Sequence, residues 1–93
     1  MEIKELEKNI VKKNNKSEKK RDILINNVLD LSMNSGRING NANYILYSEN
    51  SKKDKKEKIK ETEEILYQVI ENVINIANSL ELSIEEICDK NNK

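Results

Sequence analysis

Ninety-three residues, with 17 basic and 17 acidic side chains, one cysteine, no histidine and three tyrosines as the only aromatics, bound the chain to one small domain (1–93) with a thin aliphatic core. Zero formal net charge argues against a general duplex binder, which needs a net basic surface, and against an acidic disordered tail. A lone Cys88 with no histidine anywhere excludes an intrachain disulfide and a Cys–His nucleophile, and speaks against a structural zinc site.

Ile3, Leu6, Ile10 and Val11 share one face of a first short helix, over 1–13. Asn14-Asn15-Lys16 interrupts the pattern, and Ser17 is placed to cap the next helix, expected over about 18–34. Asn15-Lys16-Ser17 also matches a glycosylation sequon, a chance match without a secretory signal. Ile23, Leu24, Ile25, Val28, Leu29, Leu31 and Met33 cover most of the second helix, leaving Asn26, Asn27 and Asp30 as a polar strip. A helix that apolar is expected at the centre of a bundle. Gly36 is placed to end it in the left-handed conformation, and 36–51 reads as a loop with one apolar turn at Tyr44-Ile45-Leu46-Tyr47.

Ser51 and Asp54 have capping-box spacing and open a long helix, although Lys52, Lys53, Lys55 and Lys56 oppose its dipole. The Lys52–Lys60 run reads as a solvated face diluted by Glu57 and Glu61, or as a contact for phosphate or an acidic partner. Ile59, Leu66, Val69, Ile70, Val73, Ile76, Ala77 and Leu80 make a stripe at helical spacing that something outside the helix must cover. After a corner near Leu80, Ser83-Ile84-Glu85-Glu86 is a second capping box, with Ile84 and Ile87 expected to point inward. One stripe's burial does not offset the entropy of ordering so long a helix. No heptad runs cleanly enough, long enough, for a simple coiled coil. The expectation is an all-α fold: a small bundle of three to four helices, one of them long and in the C-terminal half, completed by homo-oligomerisation.

With no secretory signal and no apolar run of about 18 residues, the chain is expected in a reducing cytoplasm, away from the membrane. Asn, Lys and Ile together make up nearly half of it, pointing to an AT-rich coding genome such as that of a low-GC bacterium or its phage.

From Glu63 onward the chain resembles the end of a MazG-like nucleotide pyrophosphohydrolase, most clearly in Ile76-Ala77-Asn78-Ser79-Leu80-Glu81-Leu82-Ser83-Ile84-Glu85-Glu86-Ile87. The resemblance spans about 23–91. It implies an all-α scaffold whose chemistry sits on two helices, in a Glu-Glu-x-x-Glu motif and a Glu-x-x-Asp or Glu-Glu-x-x-Asp motif that hold Mg²⁺ against phosphates. The first motif falls on Asn26-Asn27-Val28-Leu29-Asp30 and the second on Glu64-Ile65-Leu66-Tyr67-Gln68, so only Asp30 and Glu64 keep a carboxylate. Amide oxygens bring no charge to a metal, but they hydrogen-bond a base, ribose or amide group well.

The resemblance therefore implies a nucleotide-type ligand bound without hydrolysis. The candidate ligand residues are Asn26, Asn27, Asp30, Arg37, Tyr44, Tyr47, Glu64, Gln68 and Glu71, with no catalytic residue, metal ligand or cofactor assigned. Arg37 stands between Gly36 and Gly40, where backbone N–H groups could meet a phosphate, or in a plain turn. Tyr44 and Tyr47 could stack on a base or pack on aliphatics. Asn26, Asn27, Asp30, Glu64, Gln68 and Glu71 could instead lie on exposed helix edges. Two other functions stay open: a protein-interaction module or small regulator, and an Mg²⁺-dependent pyrophosphohydrolase using Asp30, Glu64 and Glu71. No sequence-specific DNA binding is expected.

Overall fold

The computed structural model describes residues 2–14, 16–49 and 51–92. Four helices form, α1 Ile3–Lys12, α2 Lys20–Tyr47, α3 Lys52–Ser79 and α4 Ile84–Asn91, with no strand among the described residues. The fold is a small all-α bundle, as its periodicity predicts. The break expected at Asn15 lies outside the described residues.

Local chemistry sets three of the helix ends. Ser51 accepts the Asp54 backbone N–H at 3.3 Å while its hydroxyl lies 3.0 Å from the Asp54 carboxylate, so α3 starts at Lys52 despite the lysines of its first turn. Ser83 accepts the Glu86 N–H at 3.5 Å and opens α4. Glu7 reaches across from α1 and accepts the Glu85 N–H at 2.9 Å, adding an interhelix cap. The α3–α4 corner closes with Leu82 N–H to Ala77 O at 2.8 Å and Glu81 N–H to Asn78 O at 3.0 Å. That hydrogen-bond pair defines a Schellman turn, and Glu81 holds its left-handed position at φ 60° where glycine is usual.

Several expectations are corrected. Lys19, not Ser17, occupies the N-cap position of α2. Gly36 does not end that helix. Both glycines are helical, neither has a positive φ, and most of the loop expected over 36–51 is helix as far as Tyr47. Tertiary packing overrides the turn chemistry of Gly36, Asn39 and Gly40, because Asn41 reaches Thr62 on α3 only if the helix continues. Nor is α2 central: it packs on α3, while α1 lies against α3 and α4. Ile87 is exposed, not inward-facing.

The α2–α3 pair is an antiparallel hairpin, since hydrogen bonds join Asn27 to Asn72, Asn34 to Asn72 and Asn41 to Thr62. Heptad rows do run along it, although their seam is polar. Asn27, Asn34 and Asn41 are seven apart on α2 and face Ile65 and Asn72, also seven apart, on α3. One step round each helix lie apolar rows, Leu24, Leu31, Ile38 and Ile45 on α2 and Ile59, Leu66, Val73 and Leu80 on α3. The α2 row is half-buried; the α3 row is exposed throughout. The α3 stripe is thus largely uncovered within the chain. Among the described residues the buried apolar side chains are few: Ile10, Ile65, Ile74 and Ala77.

Candidate functional site

The seam draws one of the amides expected at a ligand site, Asn27, into a network with asparagines on both helices. Asn72 lies at its centre: Asn34 Nδ2 donates to Asn72 Oδ1 at 3.0 Å, and Asn72 Nδ2 donates to Asn27 Oδ1 at 3.0 Å. Asn75 Nδ2 also approaches Asn27 Oδ1, at 3.4 Å, and Asn75 Oδ1 accepts from Asn14 Nδ2 at 2.8 Å, tying the end of α1 to α3. Asn27 Nδ2 returns to the Ile23 carbonyl at 2.8 Å, and Arg37 donates to Asn34 Oδ1 at 3.4 Å. Further along, Asn41 Nδ2 donates to the Thr62 hydroxyl at 3.1 Å, which donates to the Lys58 carbonyl at 2.7 Å. Among the described residues no buried side-chain nitrogen or oxygen lacks a partner. A buried amide left unpaired costs about 1–3 kcal/mol, so this closed network specifies how the two helices meet.

On one side of the seam lies a polar concavity of about 320 Å³, lined by Asn27, Asp30, Asn34, Gln68, Glu71 and Asn72 among others. Gln68 and Glu71 also line a shallower trough of about 700 Å³ running to Lys60, Glu63, Glu64 and Tyr67. Asn27, Asp30, Gln68 and Glu71 therefore converge, and Glu64 adjoins them. Glu71 is partly neutralised by the Lys13 ammonium at 3.7 Å, which also stands 5.9 Å from the centre of the Tyr67 ring.

The remaining candidates lie elsewhere. Asn26 is exposed and donates to Glu18 at 3.1 Å. Arg37 sits in mid-helix, with no glycine loop around it to cradle an anion. Tyr44 carries the Lys58 ammonium 5.5 Å from its ring centre, and Tyr47, 79 % exposed, ends α2. Asn14, Asn34, Asn41 and Asn72 were not singled out from the sequence as site residues, and Asn75 was placed only on the polar face of α3 with Glu64, Gln68 and Glu71. The signal that could have found the α2 members was the strict seven-residue spacing of its asparagines.

The chemistry of the concavity follows from what remains free to bind. The amides of Asn27, Asn34, Asn72 and Asn75 are committed to one another, so Asp30, Gln68 and the acidic trough are left to meet a ligand. No three of the described carboxylates or Cys88 cluster as metal ligands. No helix among the described residues is long and apolar enough to cross a membrane. No family model matches the chain, and no curated protein or solved structure does either.

Proposed function

We propose that this chain is a protein-interaction module: a helical hairpin held in register by its asparagine seam so that it presents its apolar side to other helices. The observation that carries this is an inversion of the usual order. Asn34, Asn41, Asn72 and Asn75 are buried between α2 and α3, whereas Ile59, Leu66, Ile70 and Val73 are 39–54 % exposed. Buried polar groups fix pairing specificity at a cost in stability, and large exposed apolar surfaces mark contact sites.

The test compares two charge insertions. The Leu66→Lys chain is expected to lose the protein partners that the parent retains in affinity capture from its host. Leu29→Lys, on the far side of α2, is expected to keep them. Equal capture by all three chains would overturn the reading.

A second reading, retention of a nucleotide-type ligand without hydrolysis on a MazG-like scaffold, is favoured by the convergence of Asn27, Asp30, Gln68 and Glu71. The concavity is large enough for part of such a ligand, but Asp30, Glu63, Glu64 and Glu71 repel its phosphates. The nucleobase and ribose are the parts it suits. Calorimetric titration with nucleosides, nucleotides and cyclic dinucleotides decides it: binding lost in Gln68→Ala supports this reading, and no heat at millimolar ligand removes it.

A further inference from the structure

The uncovered side of the hairpin is one continuous face. Looking from the seam, the polar concavity takes Asp30 from α2 and Gln68 and Glu71 from α3. By helical phase, the opposite side takes Leu24, Leu31 and Ile38 from α2 and Leu66, Val69 and Val73 from α3. Between Leu24 and Ile38 on α2 and between Leu66 and Val73 on α3 these rows hold no charged residue, in a chain that is 37 % charged; Lys52 and Lys55 continue them only at the start of α3. Where α1 and α4 approach α3 the face runs on into a groove lined only by apolar side chains, Leu6, Ile70 and Ile84 among them.

Resting on the interaction-module reading, we infer that the partner is a second copy of this chain, the two hairpins packing face to face as a four-helix core. Area supports it. Val28, Ile59, Leu66, Ile70 and Val73 are 39–54 % exposed. Taking about 150–180 Å² for a fully exposed aliphatic residue, they and the half-buried rows beside them offer roughly 600–700 Å², near the ~800 Å² per partner of a standard interface.

Shape agrees. The chain is a slab of 45 × 34 × 20 Å with a radius of gyration of 15.9 Å, against about 12 Å for a compact chain of this length. Stacking two slabs thickens the thin dimension. Charge agrees as well, because equal numbers of acidic and basic groups leave no net self-repulsion. Finally, a chain with only four buried apolar residues among those described needs its core completed as it folds. A second copy is the partner always present in equal amount, and a two-fold axis through an uncharged apolar face matches it to itself.

The experiment is sedimentation equilibrium on the full chain from 1 μM to 1 mM, with urea unfolding at both ends of that range. The expected mass is twice 10.8 kDa, with an unfolding midpoint that rises with concentration. Leu66→Lys and Leu31→Lys should each weaken association at least tenfold, and Leu29→Lys should leave it unchanged. If the lysine variants fail to fold, the concentration dependence of the parent's midpoint still decides. A parent that stays at 10.8 kDa at 1 mM overturns the inference. So does dissociation by Leu29→Lys alone. A monomer that still captures a host protein through Leu66 would remove self-pairing and keep the module; a monomer that captures nothing would remove both.

Discussion

The two sides of α3 divide the work of the protein differently. Toward α2 it offers Thr62 and Asn72, whose hydrogen bonds need a donor and an acceptor at set places. One step round the helix it offers Ile59, Leu66, Val73 and Leu80, which demand only to be kept from water. The first surface is particular and internally satisfied, while the second is general and open. A polar seam of this kind is poorly suited to supply the bulk of stability, because hydrogen bonds exchanged with water net only about 1 kcal/mol each. Its contribution is register: sliding α2 by one residue would turn every asparagine away from its partner. Apolar burial has to come from elsewhere, and the open row of Ile59, Leu66, Val73 and Leu80 is an uncommitted apolar surface that can supply it.

The sharpest break in this comparison is at Asn72. Its replacement by alanine strands Asn34 Nδ2 and one acceptor site of Asn27 in the seam, and the expected loss is about 2–4 kcal/mol in urea unfolding. A loss below about 0.5 kcal/mol would show that water repairs the gap and that the ladder is not closed. Isosteric Asn72→Leu sharpens the point. It strands the same two groups yet adds apolar volume, so it should recover part of the stability while relaxing the α2–α3 register, read as line broadening or doubled resonances in the amide NMR spectrum.

The sequence announced the features that depend on three or four neighbouring residues. Ser51 with Asp54 and Ser83 with Glu86 cap α3 and α4 as their spacing implies, because a cap is a local bond. It misled at Gly36 and Gly40, whose turn propensity is worth only about 1 kcal/mol each and yields to the packing of the surrounding helix. The candidate site was legible in part. Asn27, Asp30, Gln68 and Glu71 do meet, since two helices with matched polar strips tend to face them together. Which of those amides would be spent on one another was not legible, because that depends on register between residues 45 apart, as in Asn27 and Asn72. The corner at Glu81 was hidden for another reason: the left-handed residue is not a glycine.

That corner yields the next prediction. A non-glycine residue in the left-handed region costs about 1 kcal/mol, and Glu81 contributes only an exposed ion pair with Lys20 at 3.3 Å in return. Glu81→Gly should therefore raise stability by about 0.5–1 kcal/mol in urea unfolding, and a decrease would mean the side chain holds α2 and α3 together more than its exposure suggests. Just past that corner, at the start of α4, Glu7→Ala removes the acceptor for the Glu85 N–H. A loss of about 1 kcal/mol is expected, with hydrogen exchange accelerated in α4 and unchanged across the seam. Uniform acceleration would show that α4 does not open independently of the hairpin.

One further pair of substitutions bears most directly on which side of α2 meets a partner. Gly36 and Gly40 lie on the back of α2, two residues and so about 200° round from Asn34 in the case of Gly36, and a Cβ built on either meets nothing within 4 Å. Within one chain they have no packing reason to be glycine, and alanine at each should add about 0.5–1 kcal/mol through a less flexible unfolded state and better helix propensity. If the interface runs through Leu31 and Leu66, that gain appears with association unchanged, because the added methyl groups point into water. Were a second helix to cross closely over the glycines instead, the same methyl groups would collide with it and the assembly would weaken as the isolated chain grew more stable. Measuring the unfolding midpoint and the association constant on one Gly36→Ala, Gly40→Ala chain thus separates the two sides of α2, since only an interface on its back makes stability and assembly move in opposite directions.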